Sequence, residues 1–205
     1  MGDHVLFFYG MSLFKEANAK AKSNPGTLMA PQILHKVIHG KANPEPWQKA
    51  MLRFQPAILH GYRRHRVQDA DYPGIVAVPE PQSDSRNAGT SVMGTLVSGL
   101  TDGDIHRLDR FEGSEYEKKQ VNVRTLREAR SNEHKHAGEG VSDESQLRKM
   151  LDKTSTEVAD EGEEVSAVTY VYTAGKDMLE DAEWDFESFK RDKMAWWVRA
   201  NESEW

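Results

Sequence analysis

Residues 128–164 carry eleven acidic and five basic side chains, a balance of −6 that equals the net charge of the whole 205-residue chain. The stretch holds no Phe, Tyr or Trp and few large aliphatic residues. Such a segment buries too little apolar area to offset the entropy of ordering it. The pattern predicts a solvated, largely disordered excursion, with a short helix around residues 146–151. Any core must come from the flanking chain, which is electrically balanced. At roughly 100–200 residues per domain, one domain with insertions is expected, spanning residues 4–199. A balanced body lacks the basic surface that nucleic acid requires. No apolar run reaches the roughly 18–20 residues of a membrane span. The opening Met1-Gly2-Asp3-His4 lacks the basic and apolar regions of a signal peptide. The chain has no cysteine, which excludes disulfides and thiol catalysis. A soluble cytoplasmic protein that binds neither nucleic acid nor membrane is expected.

Outside the excursion, short apolar runs alternate with turn signals. Residues 5–9 (Val-Leu-Phe-Phe-Tyr) read as a buried strand ended by Gly10. Residues 31–38 read as a helix, with Ile33, Leu34, Val37 and Ile38 at helical spacing and Pro31 in the first turn. Two prolines make 43–47 a loop. Residues 56–67 read as one strand that becomes basic at Arg63-Arg64-His65-Arg66, a charged strand end. Strands follow at 75–78 and 92–100, separated by a polar turn at 82–90. Thr101 and Asp104 form a capping-box pattern that starts a helix over Asp102–Glu112, and Gly113 stops it. Residues 116–125 alternate, and 165–173 make the strongest strand, rich in β-branched and aromatic residues. Residues 184–199 read as a C-terminal helix. The element order predicts an α+β fold with a small mixed sheet or barrel.

One residue looks chemical. Ile105, Leu108 and Glu112 share a helix face, so a carboxylate lies on the side that should meet the core. Burial disfavours its charged form and raises its pKa, as a general acid/base near neutral pH requires. Periodicity alone favours the plainer alternative, in which Glu112 turns outward to Arg110 or Lys119. Glu115 reads as solvated. His35 and His39 stand four apart, as a two-point metal site would, but no third ligand or H-E-x-x-H context accompanies them. They read as separate core or surface histidines. His134 and His136 support adventitious metal binding at most.

Three motifs together resemble the gamma-glutamylcyclotransferase-like superfamily, near its avirulence-induced plant branch. They are Tyr72-Pro73-Gly74-Ile75, Val92-Met93-Gly94-Thr95-Leu96, and Leu108-Asp109-Arg110-Phe111-Glu112-Gly113-Ser114-Glu115-Tyr116. The resemblance implies a small barrel with flanking helices. It implies release of 5-oxoproline from a small γ-glutamyl amine, amide or peptide, with no metal or cofactor. It assigns Glu112 as acid/base and Tyr9, Gly10, Thr27 and Leu28 as a substrate loop, extended by Met29 and Ala30. Tyr72 and Tyr116 are expected to line the pocket. The alternative is a catalytically impaired binding module with the same pocket.

The family's opening motif, an apolar strand running into Tyr-Gly-Thr/Ser-Leu, is interrupted here. Tyr9-Gly10 and Thr27-Leu28 are separated by residues 11–26, and deleting these restores Phe-Phe-Tyr-Gly-Thr-Leu-Met-Ala-Pro. Codon degeneracy allows a splice donor across Gly10-Met11-Ser12 and an acceptor in Pro25-Gly26. The segment reads as a retained short intron translated in frame; the alternative is a genuine surface loop.

Overall fold

Val5, Phe7 and Tyr9 leave the first strand on one side and Leu6 and Phe8 on the other, which sorts the protein into two apolar clusters. The computed structural model describes residues 3–11, 31–70, 72–78, 91–127, 160–182 and 192. Strands β1 (His4–Met11), β2 (Arg53–His60), β5 (Ser91–Leu100), β6 (Tyr116–Arg127) and β7 (Asp160–Tyr172) close into a barrel ordered β1-β5-β2-β6-β7. The neighbours are antiparallel except β1 and β7, which meet in parallel at Leu6 and Val168. The small mixed barrel expected from the sequence is therefore present. A second sheet, ordered β4-β3-β8, consists of β3 (Tyr62–Val67), β4 (Pro73–Ala77) and β8 (Leu179–Glu180).

The barrel interior is filled by Phe7, Ala57, Leu59, Val92, Leu96, Val121, Val123 and Val171. The opposite faces of β1, β2 and β5 contribute Leu6, Phe8, Phe54 and Val97 to the second cluster. Helices α1 (Pro31–His39) and α3 (Asp102–Glu112) supply that cluster with Ile33, Leu34, Val37, Ile38 and Leu108. The α3 boundaries are those the capping pattern predicts. Thr101 Oγ1 accepts from the Asp104 N–H at 3.3 Å, and the Asp104 carboxylate accepts from the Thr101 N–H at 2.9 Å. None of the described helices is long and apolar enough to cross a membrane.

Four readings of the sequence need correction. The loop at 43–47 ends early, because α2 (Pro46–Met51) begins inside it. Proline at the first helical position lacks only an N–H that the helix would leave unpaired, and Gln48 caps the preceding Glu45 N–H at 3.0 Å. The single strand over 56–67 is two, β2 and β3, parted at Gly61. The acidic excursion is shorter than its composition implies. Residues 160–164 belong to β7, where Arg124 meets Glu161 and Glu164, Arg127 meets Glu163, and His60 meets Glu161. Glu115 is not simply solvated, as its carboxylate accepts a bond from Tyr72. The helices read at 146–151 and 184–199, and the turn at 82–90, lie outside the described residues, apart from helical Asp192.

His35 and His39 pack together on α1, with ring centroids 5.5 Å apart, and His35 also meets Phe54 edge-on. Among the described residues no group of three potential metal ligands occurs. Burial, then the nearby charges of His39 and Lys49, push His35 down to about 4. A lowered folded pKa means the unfolded chain binds the proton first as pH falls. Stability conferred by neutral His35 is complete above about pH 6.5 and is lost progressively towards pH 4. His35→Phe is expected to remove up to about 3 kcal/mol of that acid sensitivity. Urea midpoints at pH 7 and pH 4.5 measure it. An unchanged slope in the variant would place the acid sensitivity elsewhere.

Candidate active site

Glu112 ends α3, four residues beyond fully buried Leu108 and on the same helical face. The helix stops there because Gly113 adopts a φ of 70° and its N–H closes on the Asp109 carbonyl. That backbone conformation strains residues bearing a Cβ, so glycine fixes the stop. Glu112 forms no hydrogen bond or ion pair among the described residues. The two partners that a surface role would give it are elsewhere: Arg110 is exposed and Lys119 reaches Glu117. Burial pushes the Glu112 carboxyl up to about 8. The negative end of the helix dipole acts in the same direction.

Tyrosines surround this carboxylate. Its charge reaches Tyr9, Tyr72, Tyr116 and Tyr170, and adds to the burial that pushes each phenol upward. Tyr9 donates to the Tyr170 carbonyl at 2.8 Å, Tyr72 to Glu115 at 2.7 Å, and Tyr116 to the Pro73 carbonyl at 3.1 Å. Tyr116 packs edge-on against both Tyr72 and Tyr172. Tyr9 also feels the positive charge of buried Arg64, which works against the upward shift. A register shift between Tyr9 and Met11 in the β1–β5 ladder places an irregularity at Gly10. Such bulges redirect a strand beside functional sites.

The structure therefore brings Glu112, Tyr9, Tyr72 and Tyr116 together, with Gly10 following Tyr9 in β1. Thr27, Leu28, Met29 and Ala30 lie outside the described residues; α1 starts immediately after them at Pro31. Tyr170, Asp109 and Arg64 were not singled out from the sequence. Strand alternation could have found two of them. It turns Arg64 inward from β3 and sets Tyr170 under α3.

At the end of α3 a carboxyl without a hydrogen bond or ion pair among the described residues thus stands among four tyrosines from β1, β6, β7 and the residue before β4. The chain belongs to the family described as gamma-glutamyl cyclotransferase, AIG2-like, whose model matches residues 26–138. It is 27% identical to Protein AIG2 C of Arabidopsis thaliana over 135 residues, covering 66% of this chain and 56% of that one. It is 29% identical to Protein AIG2 B of the same plant over 146 residues, covering 71% and 62%. The matches thus span less than two thirds of these curated relatives. A solution structure from Arabidopsis thaliana aligns over 97% of this chain and 79% of its own, at 20% identity and a TM-score of 0.48. A solved gamma-glutamyl cyclotransferase aligns over 98% and 88%, at 12% identity and a TM-score of 0.45.

Proposed function

We propose that this chain is a gamma-glutamyl cyclotransferase that releases 5-oxoproline from a small γ-glutamyl amine, amide or peptide. The observation that carries the reading is Glu112: a carboxyl with no partner among the described residues, raised to about 8 and ringed by tyrosines. Raising the carboxyl this far brings it much closer to the range of an amine than an ordinary carboxylate is, which narrows the gap for proton exchange with the substrate's α-ammonium and suits general acid/base catalysis.

In the proposed reaction the α-ammonium gives one proton to Glu112. The freed amine attacks the γ-carbonyl carbon, forming the ring C–N bond and a tetrahedral oxyanion. Collapse breaks the bond to the leaving nitrogen. Glu112 delivers its proton to that nitrogen, then relays the second proton released by the ring nitrogen. The ring keeps one N–H, and the leaving amine departs as an ammonium ion. Attack within one molecule makes proximity a large part of the rate. Backbone N–H groups of the loop formed by Tyr9, Gly10, Thr27, Leu28, Met29 and Ala30 hold the substrate carboxylate or the oxyanion.

The unit is proposed to span residues 4–199 as one domain. The family match begins at residue 26, immediately before Thr27, and leaves β1 outside it. This supports residues 11–26 as an insertion between two halves of one substrate loop. Ring closure over such a segment is entropically mild, but the loop's N–H groups lose their covalent spacing. Deleting 11–26 is expected to raise 5-oxoproline release at least about tenfold, since a misplacement of about 1 Å costs on the order of a hundredfold. Release is measured on a panel of γ-glutamyl amines and peptides. Equal turnover by both forms would show that the segment does not disturb the loop.

A further inference from the structure

Three hydrogen bonds converge on Asp109, one helical turn before Glu112. Its Oδ1 accepts from the Tyr170 hydroxyl at 2.8 Å, and its Oδ2 from Lys118 Nζ at 2.8 Å. Its main-chain carbonyl accepts from the Gly113 N–H that closes the helix. Tyr170 is 4% exposed and is packed in the same cluster as Leu108. The Tyr170 carbonyl in turn accepts from Tyr9. One chain of bonds therefore runs from β1 through β7 to the last turn of α3.

We infer that Asp109 is a positioning residue: it locks the end of α3 onto β6 and β7 and so fixes where the Glu112 carboxyl stands relative to Tyr9. The reasoning is geometric. Glu112 has no hydrogen bond of its own among the described residues, so its place depends on the backbone that bears it. That backbone is held on one side by the packing of Leu108 and on the other by Asp109. The Lys118 pair is partly exposed and contributes little holding force. The bond to Tyr170 is half-buried and anchored in the core, and it is the rigid member. Asp109 touches no reacting atom in this scheme; it acts through Glu112.

The inference rests on the proposed function only where turnover is read, so the test has two arms. The first is a carboxyl-carbon NMR titration of Glu112 in the full chain, in Asp109→Ala and in Tyr170→Phe. Tyr170→Phe keeps the packed ring and removes only the hydroxyl, so it remains informative if Asp109→Ala fails to fold. Both variants are expected to move the Glu112 midpoint from about 8 towards the ordinary carboxylate range, as water reaches the loosened turn. Lys119→Met, which removes a comparably exposed pair on β6, is the control and leaves it in place. The second arm is steady-state kinetics. Here kcat falls about ten- to a hundredfold while KM changes less than about threefold, and Asp109→Asn, whose Oδ1 still accepts from Tyr170, recovers part of the loss. Unchanged titration in both Asp109→Ala and Tyr170→Phe overturns the inference. Absence of turnover with every γ-glutamyl substrate overturns the proposed function instead, and the titration still decides the role of Asp109.

Discussion

Glu112→Gln is expected to lower turnover by about two to four orders of magnitude and, at the same time, to stabilise the folded chain in alkaline solution. Glutamine preserves the shape of the side chain but can neither take the substrate's proton nor return it. The stability effect has the opposite sign because the native carboxyl is raised to about 8 from an ordinary 4.5. Between those values the folded state binds more protons than the unfolded state, so stability falls as pH rises. The penalty is absent below about pH 4.5 and complete above about pH 8. Linkage sets it at no more than about 5 kcal/mol, and partial solvent access to the half-buried side chain reduces it to about 2–3 kcal/mol. Glutamine carries no such penalty. Urea midpoints of the two proteins should coincide near pH 4.5 and separate by pH 9, with the variant the more stable. Parallel midpoints at both values would mean that Glu112 is solvated. The same variant separates an enzyme from a binding module, which would keep its ligand affinity and show no turnover in either form.

Gly94 is the second position where a large effect is expected. It stands in β5 between two partners, opposite Tyr9 on β1 and Ala57 on β2. A Cβ there would lie 2.2 Å from the Phe8 carbonyl oxygen and 2.5 Å from the Phe7 ring. Neither neighbour can yield. The carbonyl belongs to a barrel strand, and the Phe7 ring is 1% exposed inside the packed interior. This is why the strand motif contains glycine. Gly94→Ala should cost about 3 kcal/mol or more, and Gly94→Val should prevent folding of a domain whose total stability is about 5–15 kcal/mol. Gly103→Ala is the contrast. Its Cβ would meet nothing nearer than 3.6 Å, in the first turn of α3, and alanine favours the helix. Chemical denaturation of the two alanine variants measures the difference. A Gly94→Ala midpoint equal to that of the parent would refute the packing argument. Because Tyr9 lies directly across from Gly94, any milder shift there also reaches the candidate substrate loop.

Local pattern carried most of the barrel. β1 follows from a short apolar run ended by Gly10, β5, β6 and the second half of β7 follow from alternation, and α3 follows from Thr101, Asp104 and Gly113, whose chemistry lies within the helix itself. The failures share a cause: the deciding contact comes from another element. Five residues of acidic β7 (160–164) have little intrinsic preference for a strand, yet Arg124, Arg127 and His60 pair with them across the sheet. α2 was hidden by Pro44 and Pro46, which mark a turn and a helix start with the same residue type. Within the site, Glu112 was visible as a carboxylate on an apolar face. Asp109 stands in the same motif, but its role depends on Tyr170, sixty-one residues away in sequence. Glu115 read as solvated because nothing in its own loop announces Tyr72. Arg64 was taken as part of a charged strand end, although alternation within β3 turns it inward towards Tyr9.

The central claim is that Glu112 moves the protons of an intramolecular cyclisation. The direct measurement is NMR analysis of the products from a γ-glutamyl substrate labelled with 15N at its α-amino group. It is incubated with the chain, with the form lacking 11–26, and with that form carrying Glu112→Gln. The account predicts 5-oxoproline retaining the label, one free amine per ring formed, most from the shortened chain and almost none from the Glu112 variant. Labelled glutamate in place of 5-oxoproline, or equal release with and without the Glu112 carboxyl, would contradict it.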